Sequence, residues 1–196
     1  MSQYQRPINS PSLRDMGRRR RQTGELSMIE AAAVMAGAAL LALGAYAGGK
    51  FVMDRIHASQ FKSEAQLFHT GVLDATANDT DFSGESLQTL AQNHAFDAAG
   101  ARVATGFNSV KGIFGGDVTA AAGTVDTTND ALVVTYPVPA TVCSLSVAAL
   151  ANAYTQLVVN GTTVSGPNTT FDSGTAAAAC TSAGSTASIE MFTTRS

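Results

Sequence analysis

The chain has 196 residues, 45% of them apolar and 14% charged, with a formal net charge of −3. Residues 1–24 carry six arginines and one aspartate, whereas residues 25–196 carry six Lys/Arg against fourteen Asp/Glu, a side-chain net of −8. So acidic a surface is a poor nucleic-acid binder, since neutralising phosphates needs clustered cations, and no such partner is expected; the ~145 residues beyond the apolar segment suffice for one domain with its own core.

Met1–Thr23 is polar, with Pro7 and Pro11 among Ser, Gln, Asn and Arg, and no fold is expected there. Arg18–Arg21 then precede Ala31–Gly49, nineteen residues without a charge. That run is long enough to span a bilayer. Basic residues before it hold the N-terminus in the cytoplasm and leave the remainder exported. A secretory signal has an apolar part of only ~7–15 residues ending at a small-residue cleavage site. Here the apolar part continues into a helix, so any cleavage lies before it and the run stays with the mature protein.

The helical rhythm continues through Phe51, Val52, Ile56, Phe61, Ala65, Phe68 and Val72 to about Thr76. The spacing predicts one helix of ~50 residues, ~75 Å long, with an amphipathic second half. Asp54, Arg55, Lys62 and Glu64 are expected on its wet side. His57 and His69 have no partner at metal-ligand spacing and read as solvated or packing residues. Ala33 with Gly37, and Gly44 with Gly48, are small residues four apart, which lets helix backbones approach closely; an ordinary membrane span also carries such glycines. Gly44, Gly48 and Gly49 each weaken the helix by up to about 1 kcal/mol relative to Ala. Glu30 stands at the start of the apolar run, where an unpaired carboxylate costs ~2.5–3.5 kcal/mol. It is a functional candidate, the plainer reading being a solvated residue at the membrane edge.

Asn78–Asp81 ends the helix. Gly84–Asn93 reads as a short helix with Leu87 and Leu90 inward, and Ala95–Gly112 as irregular. Asp117–Ala121 and the β-branched Ala131–Tyr136 read as strands, the latter ended by Pro137 and Pro139. Thr141–Ala153 and Thr175–Thr181 read as helices. Asn160-Gly161 between Gln156–Asn160 and Thr162–Ser165 is a hairpin signal, and Ala187–Thr193 is a final strand. A long helix followed by strands and short helices is an α+β arrangement, an antiparallel sheet with small helices.

Cys143 and Cys180 both lie in the exported part and read as one disulfide; two buried free thiols are the alternative. There is no Gly-rich phosphate loop, no Cys-x-x-Cys and no His-Glu-x-x-His. His94 lies near Asp97 in sequence, but nothing places a nucleophile beside a base. No catalytic residue, metal site or cofactor is expected. Asn78, Asn160 and Asn168 begin Asn-x-Ser/Thr triplets, as chance allows in a Thr-rich chain.

Leu26–Glu30 (Leu-Ser-Met-Ile-Glu) after a basic leader ending in Gly24 resembles the start of a mature type IV pilin. Leader length and Leu26 resemble the type IVb branch, with its bundle-forming, toxin-coregulated and conjugative thin-pilus pilins. Phe114–Thr119, the Val-Pro-x-x-Val-Cys segment, the Val-Asn-Gly-Thr hairpin and a late Cys resemble the PilS-type major pilins of conjugative thin pili, over nearly the whole chain. The resemblance implies cleavage by prepilin peptidase between Gly24 and Glu25. Glu30 is then sixth in the mature chain, where the family places its Glu fifth, so the sequence departs from the pattern by one residue.

The resemblance also implies a cleaved leader (1–24), a long helix (25–77) whose residues 26–49 form the membrane span and fibre core, and a head (78–196) whose residues 143–180 form a disulfide-bounded region. It implies that Glu30 pairs with the free α-amine of a neighbouring subunit, that helicity is lost locally around Gly44–Gly49 in the fibre, and that the last strand lies inside the sheet. It implies a precursor in the inner membrane of a Gram-negative bacterium, N-terminus cytoplasmic and head periplasmic, handled by the pilus assembly machinery. The product is a homopolymeric extracellular fibre with helices inside. Conjugation, cell–cell contact and adhesion all fit such a subunit. Other readings are a minor pilin or type II secretion pseudopilin, a fibre-tip subunit or adhesin usually having a larger or distinct head, and a membrane-anchored enzyme or binding module, for which the sequence shows no catalytic constellation.

Overall fold

The computed structural model describes residues 28–79 and 81–195, with side chains described from residue 35 onward apart from 47. The first helix, α1, runs Met28–Ala75. The chain divides into an N-terminal unit ending at Gly48 and a head unit of Gly49–Ser196.

In the N-terminal unit the helix is unbroken, Gly44 and Gly48 included, in the isolated chain. Met35, Leu40, Leu41, Leu43 and Tyr46 are exposed.

In the head unit α1 buries one face. Ala58, Phe61, Ala65, Phe68 and Val72 recur every three or four residues and are at most 2% exposed. That is the spacing of a single helix stripe set against a core. Phe61 lies 4.9 Å, centroid to centroid, from Tyr136, and Phe68 meets Phe96 edge-on at 5.0 Å. The helix approaches so closely at Gly71 that a Cβ there would strike the backbone carbonyl of Ala95.

After a turn, α2 (Leu87–Gln92) opens on a reciprocal cap. The Ser86 hydroxyl accepts from the Thr89 amide at 3.2 Å, and the Ser86 amide donates to the Thr89 hydroxyl at 2.8 Å. Leu90 is buried and Leu87 packs partly against the core. The stretch expected to be irregular holds a 3₁₀ segment, Asp97–Arg102, and a two-residue strand, β1 (Val110–Lys111).

The sheet continues with β2 (Asp117–Gly123), β3 (Ala131–Pro139), β4 (Gln156–Val159), β5 (Thr162–Ser165) and β6 (Thr186–Thr194). The order across it is β1-β2-β3-β6-β4-β5, antiparallel throughout. The fold is α+β, a long helix and three short ones with a six-stranded antiparallel sheet. The last strand sits between β3 and β4, with registers from Ala131↔Thr194 to Pro139↔Thr186 and from Gln156↔Phe192 to Val159↔Ile189.

Pro137 does not end β3, contrary to the expectation from sequence, whereas Pro139 is its last residue. The strand runs through Pro137 to Pro139, the two paired with Ser188 and Thr186 of β6. On its other side the ladder with β2 stops at Thr119↔Thr135, so β3 has a single neighbour there. A proline at such a sheet edge forfeits no ladder bond when its nitrogen faces the open side.

The β4–β5 hairpin turns on Asn160 (φ 49°) and Gly161 (φ 78°). Both positive values are those of a type I′ turn, which matches the right-handed strand twist. The Asn160 side chain reaches out of the turn. Its amide donates to the Ala179 carbonyl at 2.7 Å and its carbonyl oxygen accepts from the Ser188 amide at 2.8 Å.

Helices α3 (Ala140–Leu150) and α4 (Ser173–Thr181) cover this end of the head. Asp172 caps α4 by accepting from the Thr175 amide at 2.7 Å. Cys143 of α3 and Cys180 of α4 form a disulfide, both fully buried, with Cα atoms 5.7 Å apart. Beyond β6, Arg195 donates to the Thr76 carbonyl and lies 5.0 Å over the Phe82 ring, tying this end of the chain to the end of α1.

Candidate assembly surface

Gly24 and Glu25 lie outside the described residues, and so do the side chains of Glu30 and Ala33, whose backbones fall within α1. Gly37, Gly44, Gly48 and Gly49 are described. A Cβ at Gly37, Gly44, Gly48 or Gly49 would meet nothing within 4 Å. These positions leave the helix surface open for another backbone to approach.

In the N-terminal unit the five large apolar side chains from Met35 to Tyr46 are 64–77% exposed. The helix there is long and apolar enough to cross a membrane. In the head unit the next turns of α1 carry Phe51, Val52, Met53 and Ile56, 44–55% exposed, with the Arg55 guanidinium 4.8 Å over the Phe51 ring. Burial begins only at Ala58. Each such side chain is worth roughly 1.5–3 kcal/mol when removed from water, and the folded single chain leaves them uncovered. An apolar surface of this kind marks contact with a membrane or another protein.

The head is closed around a polar lock that the sequence reading placed wrongly. Glu64 is not on the wet side of α1: it is 6% exposed and spans the helix and the sheet. The Tyr136 hydroxyl of β3 donates to Glu64 Oε1 at 2.8 Å, Arg102 Nη1 donates to the same oxygen at 3.1 Å, and Arg102 Nη2 pairs with Oε2. Arg102 also donates to the Lys111 carbonyl at 2.7 Å, and the Ile113 amide donates to the Tyr136 oxygen at 2.6 Å. The bidentate pairing raises the Arg102 pKa, and burial raises that of Tyr136. A buried carboxylate is tolerated because every strong partner it needs is present. The signal was available: Glu64 is three residues after Phe61 and four before Phe68, on the stripe that faces the core.

The two histidines of α1 are packing residues. His69 Nδ1 lies 2.9 Å from the Thr193 hydroxyl and its ring packs edge-on against Tyr154; His57 sits edge-on to Phe114 at 5.8 Å. His94 and Asp97 are 3.2 Å apart and exposed, with no serine or cysteine bonded to the imidazole among the described residues. No group of His, Cys, Asp and Glu able to hold a metal occurs among the described residues.

A PilS N-terminal family profile matches residues 58–194, from Ala58 of α1 to the end of β6. The chain belongs to the PilS family. It is a type IV pilin-like protein, and membership makes it a structural, pilin-type subunit that polymerises into a pilus. No curated protein and no solved structure matches it significantly. In this PilS-family chain the lock at Glu64 fastens the sheet to the head portion of α1.

Proposed function

We propose that the chain is the precursor of the major subunit of a type IVb pilus, an extracellular fibre used in conjugation, cell–cell contact or adhesion. Prepilin peptidase removes residues 1–24 by cutting between Gly24 and Glu25. Until assembly, residues 26–49 hold the subunit in the inner membrane of a Gram-negative cell, N-terminus in the cytoplasm and head in the periplasm. The assembly machinery then packs these helices into the fibre core, where Ala33, Gly37, Gly44, Gly48 and Gly49 allow close approach, Glu30 pairs with a neighbour's new α-amine, and the Gly44–Gly49 stretch loosens.

The observation that carries this reading is α1 itself. A fully closed head core coexists with large apolar side chains from Met35 to Ile56 that the single chain leaves exposed. The test is composition of filaments sheared from cells, with mass spectrometry of the subunit N-terminus. A major subunit dominates the filaments and begins at Glu25. Scarcity in the filaments points instead to a minor pilin or pseudopilin, absence to a membrane-anchored protein of another kind, and a start at Leu26 overturns the cleavage assignment.

A further inference from the structure

On the head, a groove of about 280 Å³ runs between the end of α2 and the loop before β1, bordered by His94, Asp97, Gly100, Val103 and Phe107. Two of its residues hold conformations that L side chains rarely adopt: His94 has φ 66° and Phe107 φ 57°. For a bulky aromatic such a φ is an outlier, and outliers of this kind cluster where a ligand or partner is clamped. Phe107 remains 37% exposed beside the groove. Among the described residues the Asp97 carboxylate is paired with His94, an imidazole with no permanent charge.

The charge distribution names the occupant. Of the six Lys/Arg in residues 25–196, three are engaged within the head: Arg102 with Glu64, Lys111 with Asp117 at 2.7 Å, and Arg195 with Asp79 at 3.9 Å. The other three, Lys50, Arg55 and Lys62, have no acidic partner within 4 Å among the described residues, and all lie within thirteen residues of α1. Two acidic copies repel wherever head meets head; they attract where this basic stretch meets a carboxylate.

Many carboxylates are already satisfied. Asp81 is held by Ser83, Asp130 by three backbone amides and Asp172 by the start of α4. Asp97 instead lines the same groove as Phe107, and a carboxylate together with an aromatic ring is the chemistry that holds an ammonium or guanidinium. We propose that this groove docks the basic stretch Lys50–Lys62 of α1 from a second copy of the chain, one cationic side chain seating between Phe107 and Asp97. The inference rests on the pilus-subunit reading and supplies a contact outside the apolar helix core.

The test is fibre yield from cells making the full chain, with processed, disulfide-bonded monomer measured alongside. Asp97→Lys is expected to lower fibre yield about tenfold at unchanged monomer level, and one of Lys50→Glu, Arg55→Glu or Lys62→Glu in the same chain restores it. Full yield from Asp97→Lys overturns the proposal, as does a loss that none of the three reversals relieves. If Asp97→Lys does not accumulate as monomer, Asp97→Asn is read in its place: reduced yield supports docking and wild-type yield overturns it. A wild-type chain that forms no fibre would overturn the subunit reading itself; wild-type fibres with full-yield Asp97→Lys fibres overturn the docking alone.

Discussion

The Tyr136 hydroxyl donates to Glu64 across 72 residues of sequence, 2.8 Å apart, and joins the middle of the sheet to the long helix. Removing one partner of a buried pair leaves the others without an acceptor. Glu64→Ala is expected to destabilise the head by about 3 kcal/mol or more, and Glu64→Gln by ~1–2 kcal/mol, since the amide oxygen still accepts. Urea denaturation of detergent-solubilised protein measures both. Losses under ~0.5 kcal/mol for the two variants would show that the lock contributes nothing.

Cys143 and Cys180 close a loop with a sequence separation of 37. Chain-entropy treatment gives about 4 kcal/mol for a loop of that size, an upper-end value. The Cys143→Ser, Cys180→Ser double variant is expected to approach that loss, and the native chain to react with no thiol probe until reduced. Labelling of two thiols without reduction contradicts the bond.

Burial holds the His69 pKa below its ordinary 6.5. The unfolded chain therefore binds that proton more readily than the folded one. Stability is fully present above pH ~6.5 and declines as pH falls through 6.5 toward the lower folded value. Denaturation midpoints taken between pH 7 and 5 should fall, and His69→Gln should remove part of that slope. An identical slope in the variant rules His69 out as its source.

At Gly71 two effects compete. Alanine would favour the helix by ~1 kcal/mol, but its Cβ would meet the Ala95 backbone, which cannot rotate away as a side chain could. Overpacking typically costs 1–3 kcal/mol, so Gly71→Ala is expected to lower the midpoint. A raised midpoint would mean that the 94–95 turn yields easily.

Glu30 is expected to serve assembly and not head folding. An incoming α-amine that meets it gains a paired charge in low dielectric, and a slip of one helical turn separates the two by ~5.4 Å. Glu30→Ala should give a processed, membrane-held, disulfide-bonded monomer with few or no fibres, and Glu30→Gln an intermediate yield. Wild-type fibre yield from Glu30→Ala would sink the idea.

Much of the head was legible because its signals are local. Asn160-Gly161 dictates its own turn, and the β-branched run at Ala131 can hardly be anything but a strand. What stayed hidden depends on distant partners. Glu64 looks like a solvated charge until Tyr136 and Arg102 are placed around it. Pro137 looks like a terminator until β2 is seen to stop short of it. At the N-terminal end the reverse holds: Leu26–Glu30 speaks through its resemblance to processed pilins, and the side chains that would test it lie outside the described residues.

The central position of β6 bears on how the head is made. A head that emerges in chain order behind its long helix delivers Thr186–Thr194 after every other strand described, yet both β3 and β4 wait for it. Until those residues emerge, two open sheet edges flank an empty slot, and such edges recruit other chains. Completion of the sheet therefore waits for its last strand: a translation product broken off before residue 186 leaves β3 and β4 without the neighbour they share.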